Sequence, residues 1–181
     1  ITGITAADFV YANATDNTIK LLGRSRAIDD DTAEVMVAPF FLPKEHPLAM
    51  VDGVFNAVFV TGNMLGDSMY YGRGAGKLPT ASAVVSDVID CARHQGKVIM
   101  CFWDKGDVKL ADVGETERSF FIRAKAGAET AVEKIFPGGH MIKLEDRKED
   151  FGYFTSVMKE KDFMTKYEAL GDQMLSKIRC V

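Results

Sequence analysis

The chain has 181 residues and a mass of 19.9 kDa, which is one ordinary domain or two small ones. Apolar residues make up 47% and charged residues 27%, so the chain can bury a core, while its longest apolar runs are far too short to span a bilayer. Lys plus Arg count 22 against 26 for Asp plus Glu, and a net charge of −4 argues against nonspecific nucleic-acid binding, which needs a basic surface.

The sequence therefore predicts neither a membrane nor a nucleic-acid partner. Cys91, Cys101 and Cys180 are widely separated and odd in number, so no disulfide framework is expected and a reducing cytoplasm fits best. The first residue is Ile1 and no charged, then apolar leader follows it. Processing, or a place within a longer protein, is the expectation.

Thr5-Ala6-Ala7-Asp8 has the spacing of a capping box and predicts a short helix through Phe9, Val10 and Tyr11. Ile19–Ile28 and Val35–Leu42 are strand candidates on either side of the acidic turn Asp29-Asp30-Asp31. Pro39, Pro43 and Pro47 cannot donate to a ladder, so residues 39–47 are expected at a sheet edge or in an extended loop. Ala57–Val60 and Met69–Tyr71 are further strands around the turn residues Thr61-Gly62-Asn63. After Gly76 the period changes. Ala81, Val84, Val85, Val88, Ile89 and Ala92 fall on one face of a helix that Gly96 can stop.

Residues 98–117 read as a polar, irregular linker dividing a segment 1–97 from a segment 118–181. In the second segment, Arg118–Lys125 is a strand, Gly127–Phe136 a helix, Met141–Leu144 and Phe151–Met158 strands, Lys161–Leu170 a helix and Met174–Val181 a strand. The order β-α-β-β-α-β is that of a ferredoxin-like module, so the predicted class is α+β in two pieces. The charge runs 146–150 and 159–161 read as solvated, and Trp103 as packing between the segments.

The stretch most suggestive of chemistry is Tyr71-Gly72-Arg73-Gly74-Ala75-Gly76-Lys77-Leu78-Pro79-Thr80. Strand, glycine loop and helix start form a geometry that holds phosphates, because glycines let backbone approach a ligand and free amides at a helix N-terminus carry partial positive charge. The spacing is neither G-x-G-x-x-G nor a P-loop, and by pattern alone a tight strand-to-helix turn is the commoner reading. His46, His94 and His140 show no ligand spacing, so no metal site is predicted; His46 is expected to be structural, and Cys91 to act as a small buried hydrophobe.

Four blocks in order, Lys44-Glu45-His46-Pro47-Leu48-Ala49, Val51-x-Gly53 through Val60, Tyr71-Gly72-x-Gly74-Ala75-Gly76 and Leu78-Pro79-Thr80-Ala81-Ser82-Ala83-Val84-Val85, resemble homoserine dehydrogenase. The resemblance covers roughly the first 95 residues and implies the later part of that enzyme's substrate-binding and dimerisation domain. Its closing helix would pack beneath the nucleotide-binding domain. The reaction it implies is the interconversion of L-homoserine and L-aspartate 4-semialdehyde with NAD(P), an oxidoreductase step in threonine and methionine biosynthesis. Gly76, with Gly74 and Ala75 beside it, is the implied cofactor contact.

The family's Rossmann unit has no counterpart in the 181 residues, and its catalytic lysine and substrate-binding acids precede the block matching Ile1–Thr5. No catalytic residue is therefore assigned, the chain alone is expected to be inactive, and NAD(P) is not expected to bind it tightly. A homodimer or higher homo-oligomer is the family expectation. The segment 118–181 resembles an ACT domain, an amino-acid-sensing module; Gly127 matches its first turn, although the usual acid of that turn is absent, and threonine is the implied effector. The competing reading is a stand-alone ACT-type regulatory protein, with assembly rather than effector binding as a further role for its module.

Overall fold

The computed structural model describes residues 3–97 and 106–181. Cys101 and Trp103, and with them the packing expected of Trp103, lie outside the described residues. The first helix, α1 (Ala6–Ala14), begins where the capping-box spacing places it. Asp8 closes the box as expected: its Oδ2 accepts from the Thr5 backbone N–H at 2.7 Å and also from the Thr5 hydroxyl at 3.0 Å. Its other oxygen is committed elsewhere in the fold.

Two long strands follow, β1 (Asn17–Ala27) and β2 (Thr32–Pro43), paired antiparallel from Asn17↔Pro43 to Ala27↔Ala33. Next come a 3-10 turn at Pro47–Met50 and the strands β3 (Phe55–Gly62) and β4 (Gly66–Arg73), which form their own two-stranded sheet. Helix α2 (Lys77–Arg93) then carries the predicted apolar stripe. Beyond residue 106 lie β5 (Lys109–Leu110), β6 (Glu117–Arg118), β7 (Phe120–Lys125), α3 (Glu129–Ile135), β8 (His140–Leu144), β9 (Arg147–Phe154), β10 (Met158–Lys159), α4 (Glu160–Ala169) and β11 (Met174–Cys180).

The main sheet runs β1-β2-β11-β7-β9-β8, with β5 paired to the start of β2. Within it β7, α3, β8, β9, α4 and β11 realise the β-α-β-β-α-β order, and β7 is flanked by β11 and β9, all antiparallel. The class is mixed α and β, with four α-helices among the described residues.

Strand β7 is buried on both faces, and its alternation sorts two cores. Phe120, Ile122 and Ala124 face α3 and α4 with Val132, Phe136, Phe151 and Phe163. Phe121 faces the other way, into Tyr11 and Ala12 of α1, Ile19, Phe41 and Ile178.

The compact units do not follow the divide expected at 97–118. Residues Ile1–Lys44 group with Asp107–Val181, and Glu45–Gly106 forms a second unit. The cause is long-range pairing. β2 adds to β11 through Arg179↔Phe40 and Cys180↔Phe41, and the stretch read as linker contributes β5, which pairs with Thr32 and Ala33.

On one side Pro39 keeps the open edge expected of it. It sits inside β2, opposite Leu21 of β1, and β2 meets β11 only from Phe40 onward, so the missing N–H of Pro39 interrupts no bond to β11.

Two buried ion networks close the first unit, and both involve residues that the sequence presented as solvated. Asp150, within the charge run 146–150, lies in β9 at 4% exposure; Glu160, from the run 159–161, opens α4 at 6%. Arg123 donates to Asp8 Oδ1 at 2.9 Å and to Asp150 Oδ2 at 2.8 Å. Arg118 bridges Glu34 and Glu160, and Arg179 also grips Glu160. Burial raises the proton affinity of Glu34 and Asp8, but the guanidinium bonds outweigh it and hold both carboxyls below their ordinary values.

Candidate functional site

The second unit places all three cofactor-contact candidates in one exposed turn. The register of β3 and β4 sets Phe55 opposite Arg73 and Asn56 opposite Gly72. The rings of Phe55 and Tyr71 stack at 4.9 Å with 8° between their planes, and the Arg73 guanidinium lies 5.0 Å from the Phe55 centroid.

This braced end of the hairpin delivers the chain to Gly74, whose N–H donates to Val54 O at 3.3 Å. A Cβ on Gly74 would stand 1.9 Å from Asn56 Nδ2, so Asn56 already fills the space of a side chain. Ala75 follows, and Gly76 caps α2 with φ +121°, a backbone state that side chains oppose.

Thr80 N–H to Gly76 O is the first helical bond, which leaves the amides of Lys77 and Leu78 without intrahelical acceptors. Pro79 brings no further N–H to the orphan set. The turn thus offers bare backbone and the positive end of a 17-residue helix to solvent. It can admit a flat or anionic group at van der Waals distance, and it carries no acid or base of its own. The residues present fit the approach of a nicotinamide cofactor along backbone rather than side chains.

Helix α2 leaves its apolar stripe open among the described residues. None of its residues is buried: Val84, Val85, Val88 and Ile89 are 58, 55, 62 and 45% exposed. Cys91 is exposed as well, so it does not act as the buried hydrophobe expected of it. His46 does play a structural part, accepting from Leu48 N–H at 3.1 Å beside the Phe59 ring.

In the first unit, Gly127 stands between β7 and α3 with φ +94°. Its N–H is occupied: it donates to Glu129 Oε2 at 2.7 Å, while Lys143 binds the other oxygen at 2.8 Å. The Lys143 bond is the main cause that holds the Glu129 carboxyl below its ordinary value. The Gly127 amide is therefore already taken by a carboxylate of the chain's own.

The ion networks were not legible in the sequence, because Asp8 and Arg123 are 115 residues apart and nothing local joins them. Among the described residues, no cluster of three or more His, Cys, Asp or Glu could hold a metal ion, and no helix is long and apolar enough to cross a membrane.

Comparison with known proteins bears on the whole arrangement. A model of the family "Homoserine dehydrogenase" matches residues 1–89. The homoserine dehydrogenase of Synechocystis sp. is 48% identical over 93 residues, half of this chain and 22% of that protein. That of Helicobacter pylori is 36% identical over 125 residues, covering 69% of this chain and 30% of that protein.

Structural likeness extends further along the chain than sequence likeness. The crystal structure of a homoserine dehydrogenase from Thiobacillus denitrificans matches all of this chain with a TM-score of 0.81 at 28% identity. The S. aureus enzyme at pH 6.0 matches all of it at 0.68 and 25%. This chain spans 46% of each of those solved chains, so it corresponds to less than half of the proteins it resembles. Through its matched first half and a fold shared along its length, the chain belongs to the homoserine dehydrogenase family.

Proposed function

We propose that this chain serves in the NAD(P)-dependent interconversion of L-homoserine and L-aspartate 4-semialdehyde, a step of threonine and methionine biosynthesis in the cytoplasm. It would supply one wall of the cofactor site and a C-terminal regulatory module. The observation that carries the reading is the Gly74-Ala75-Gly76 turn, where Asn56 takes the space of a side chain and Gly76 holds a conformation suited to glycine. Backbone there can lie against the cofactor, which when bound supplies or receives the hydride. The residues of the turn bind and orient; none of them moves a proton.

The chemical step needs a general acid or base and a nucleotide-binding unit, and the 181 residues offer no glycine fingerprint after a first strand. The chain alone is therefore expected to give no turnover in a nicotinamide-coupled assay. Homodimerisation would cover the open hairpin of β3 and β4, while the apolar face of α2 would be left to the nucleotide-binding unit.

The β-α-β-β-α-β elements support an ACT-like, ferredoxin-like module at 118–181. With Glu129 already on the Gly127 amide, threonine would have to displace a carboxylate to bind there.

The test uses the full-length enzyme to which this chain corresponds. Gly76→Val is expected to raise KM for the nicotinamide cofactor about tenfold or more while KM for homoserine changes little, since a side chain would intrude on one ligand only. An unchanged cofactor KM, with the variant folded, would remove the turn from the site.

A further inference from the structure

A pocket of about 310 Å³ lies in the first unit, at the fork where β2 leaves β11. Its origin is visible in the register. Cys180 N–H donates to Ser119 O and Val181 N–H to Phe41 O, so successive residues of β11 turn their backbone to opposite sides. Arg179 faces β2, and Lys177, two residues earlier, faces the same side where β2 has no assigned partner for it.

Pro39 lines the gap and has no N–H with which to close it. The strand edge is thus left open, and α4 roofs the space with Phe163, Met164 and Tyr167.

The charges in this pocket are unequally satisfied. Arg179 is held by both oxygens of Glu160, and Glu160 is held again by Arg118. Lys177 has no carboxylate within ion-pairing distance among the described residues; its ammonium lies 2.9 Å from Met164 Sδ and 4.7 Å from the Tyr167 ring, both walls of the same pocket. Burial lowers its pKa, as expected for a cation that has exchanged water for a thioether and a ring.

Glu160 and Glu168 act on Lys177 only from beyond ion-pairing distance, so a cation with no direct partner, set against Phe163, Met164 and Tyr167, calls for one negative charge on an apolar body. The volume is at the low end of the range of about 300–1,000 Å³ for small-molecule sites, which suits a metabolite-sized ligand.

We propose that the fork between β2 and β11 is a binding site for a small monocarboxylate with an apolar tail, its carboxylate on the Lys177 ammonium and its tail against Phe163, Met164 and Tyr167. The site does not depend on the family reading, and it is separate from the Gly127 turn. A dianion such as inorganic phosphate is a poorer fit, because Arg179 is committed to Glu160 and cannot supply a second charge.

The experiment titrates the full chain with 4-methylpentanoate, and in parallel with 4-methylpentanamide and inorganic phosphate, while the lysine side chains are followed by NMR. Saturable binding of the carboxylate is expected, with the amide weaker by about tenfold or more, since the difference is one charge-assisted hydrogen bond. The pKa of Lys177 should rise when the site fills, a readout that needs no variant.

Lys177→Gln should abolish the preference for carboxylate over amide, and Lys177→Arg should restore it. Equal affinity for amide and carboxylate, tighter binding of phosphate, an unmoved Lys177 pKa, or no saturable binding would each overturn the proposal.

Discussion

Asp150 accepts from Arg147, Arg123 and Tyr11 at once, and the number of donors decides its titration. Arg147 Nε is 2.9 Å and the Tyr11 hydroxyl 2.8 Å from Oδ1, and Arg123 Nη1 is 2.8 Å from Oδ2. Burial alone would raise the pKa, but the two guanidinium groups and the phenol reverse it and hold it at about 2, against 3.8 for an ordinary aspartate. Because the folded value is the lower one, the charged carboxylate stabilises the fold above pH 3.8, and that stabilisation is lost as pH falls from there through about 2.

The urea midpoint of the first unit should therefore drop steeply in that acid window. Asp150→Asn should be less stable at neutral pH and lose much of the slope there. A variant as pH-sensitive as the wild type would place the acid lability elsewhere. Nothing in the run Asp146–Asp150 announces this role. Its alternating charges match an exposed loop as well as a strand; Arg147, the strongest donor, lies inside the run, but the further partners Tyr11 and Arg123 come from 139 and 27 residues away.

Among elements, the connection from β4 to α2 shows which signals are local and which are not. The glycine spacing, the strand before it and the 3.6-residue period after it were readable, and the structure sets all three in sequence from Gly66 to Arg93. The reason Gly74 must lack a side chain was not readable, because it rests on Asn56, eighteen positions earlier and across the hairpin.

Gly74→Ala should destabilise the hairpin-to-helix junction by about 1–3 kcal/mol, the ordinary cost of overpacking. Asn56→Gly combined with it should recover most of the loss, as a double-mutant cycle on thermal unfolding would measure. Additive losses would show that the close approach is not the cause. Helix α2 illustrates the complementary limit: its periodicity defines an apolar face but not what covers it, and within the described residues that face is open.

For the whole molecule, the question is which pieces fold together. Composition placed a divide at 98–117, since a polar, glycine-marked stretch separates two differently patterned regions. The structure instead joins α1, β1 and β2 to the C-terminal elements, through a face of the sheet that sequence periodicity could not assign to a partner.

Phe121 and Ile178 are 0 and 2% exposed on that face. Excising residues 118–181 alone would uncover both, at about 1.5–3 kcal/mol for each buried side chain, a large share of the roughly 5–15 kcal/mol that a domain has. Residues 118–181 expressed alone should therefore unfold at lower denaturant and bind a hydrophobic dye.

Residues 1–44 joined to 107–181 should keep the stability of the first unit. The joint has to be long, because Lys44 bonds to Asp16 at one end of the β1–β2 ladder while Lys109 pairs with Thr32 at the other. Eleven paired positions separate those ends by roughly 36 Å, which a flexible Gly/Ser linker of about 40 residues spans. Equal stability of the two polypeptides would mean that the α1 face adds nothing. A lower midpoint for 118–181 alone would make α1 and the β1–β2 ladder integral to the C-terminal fold.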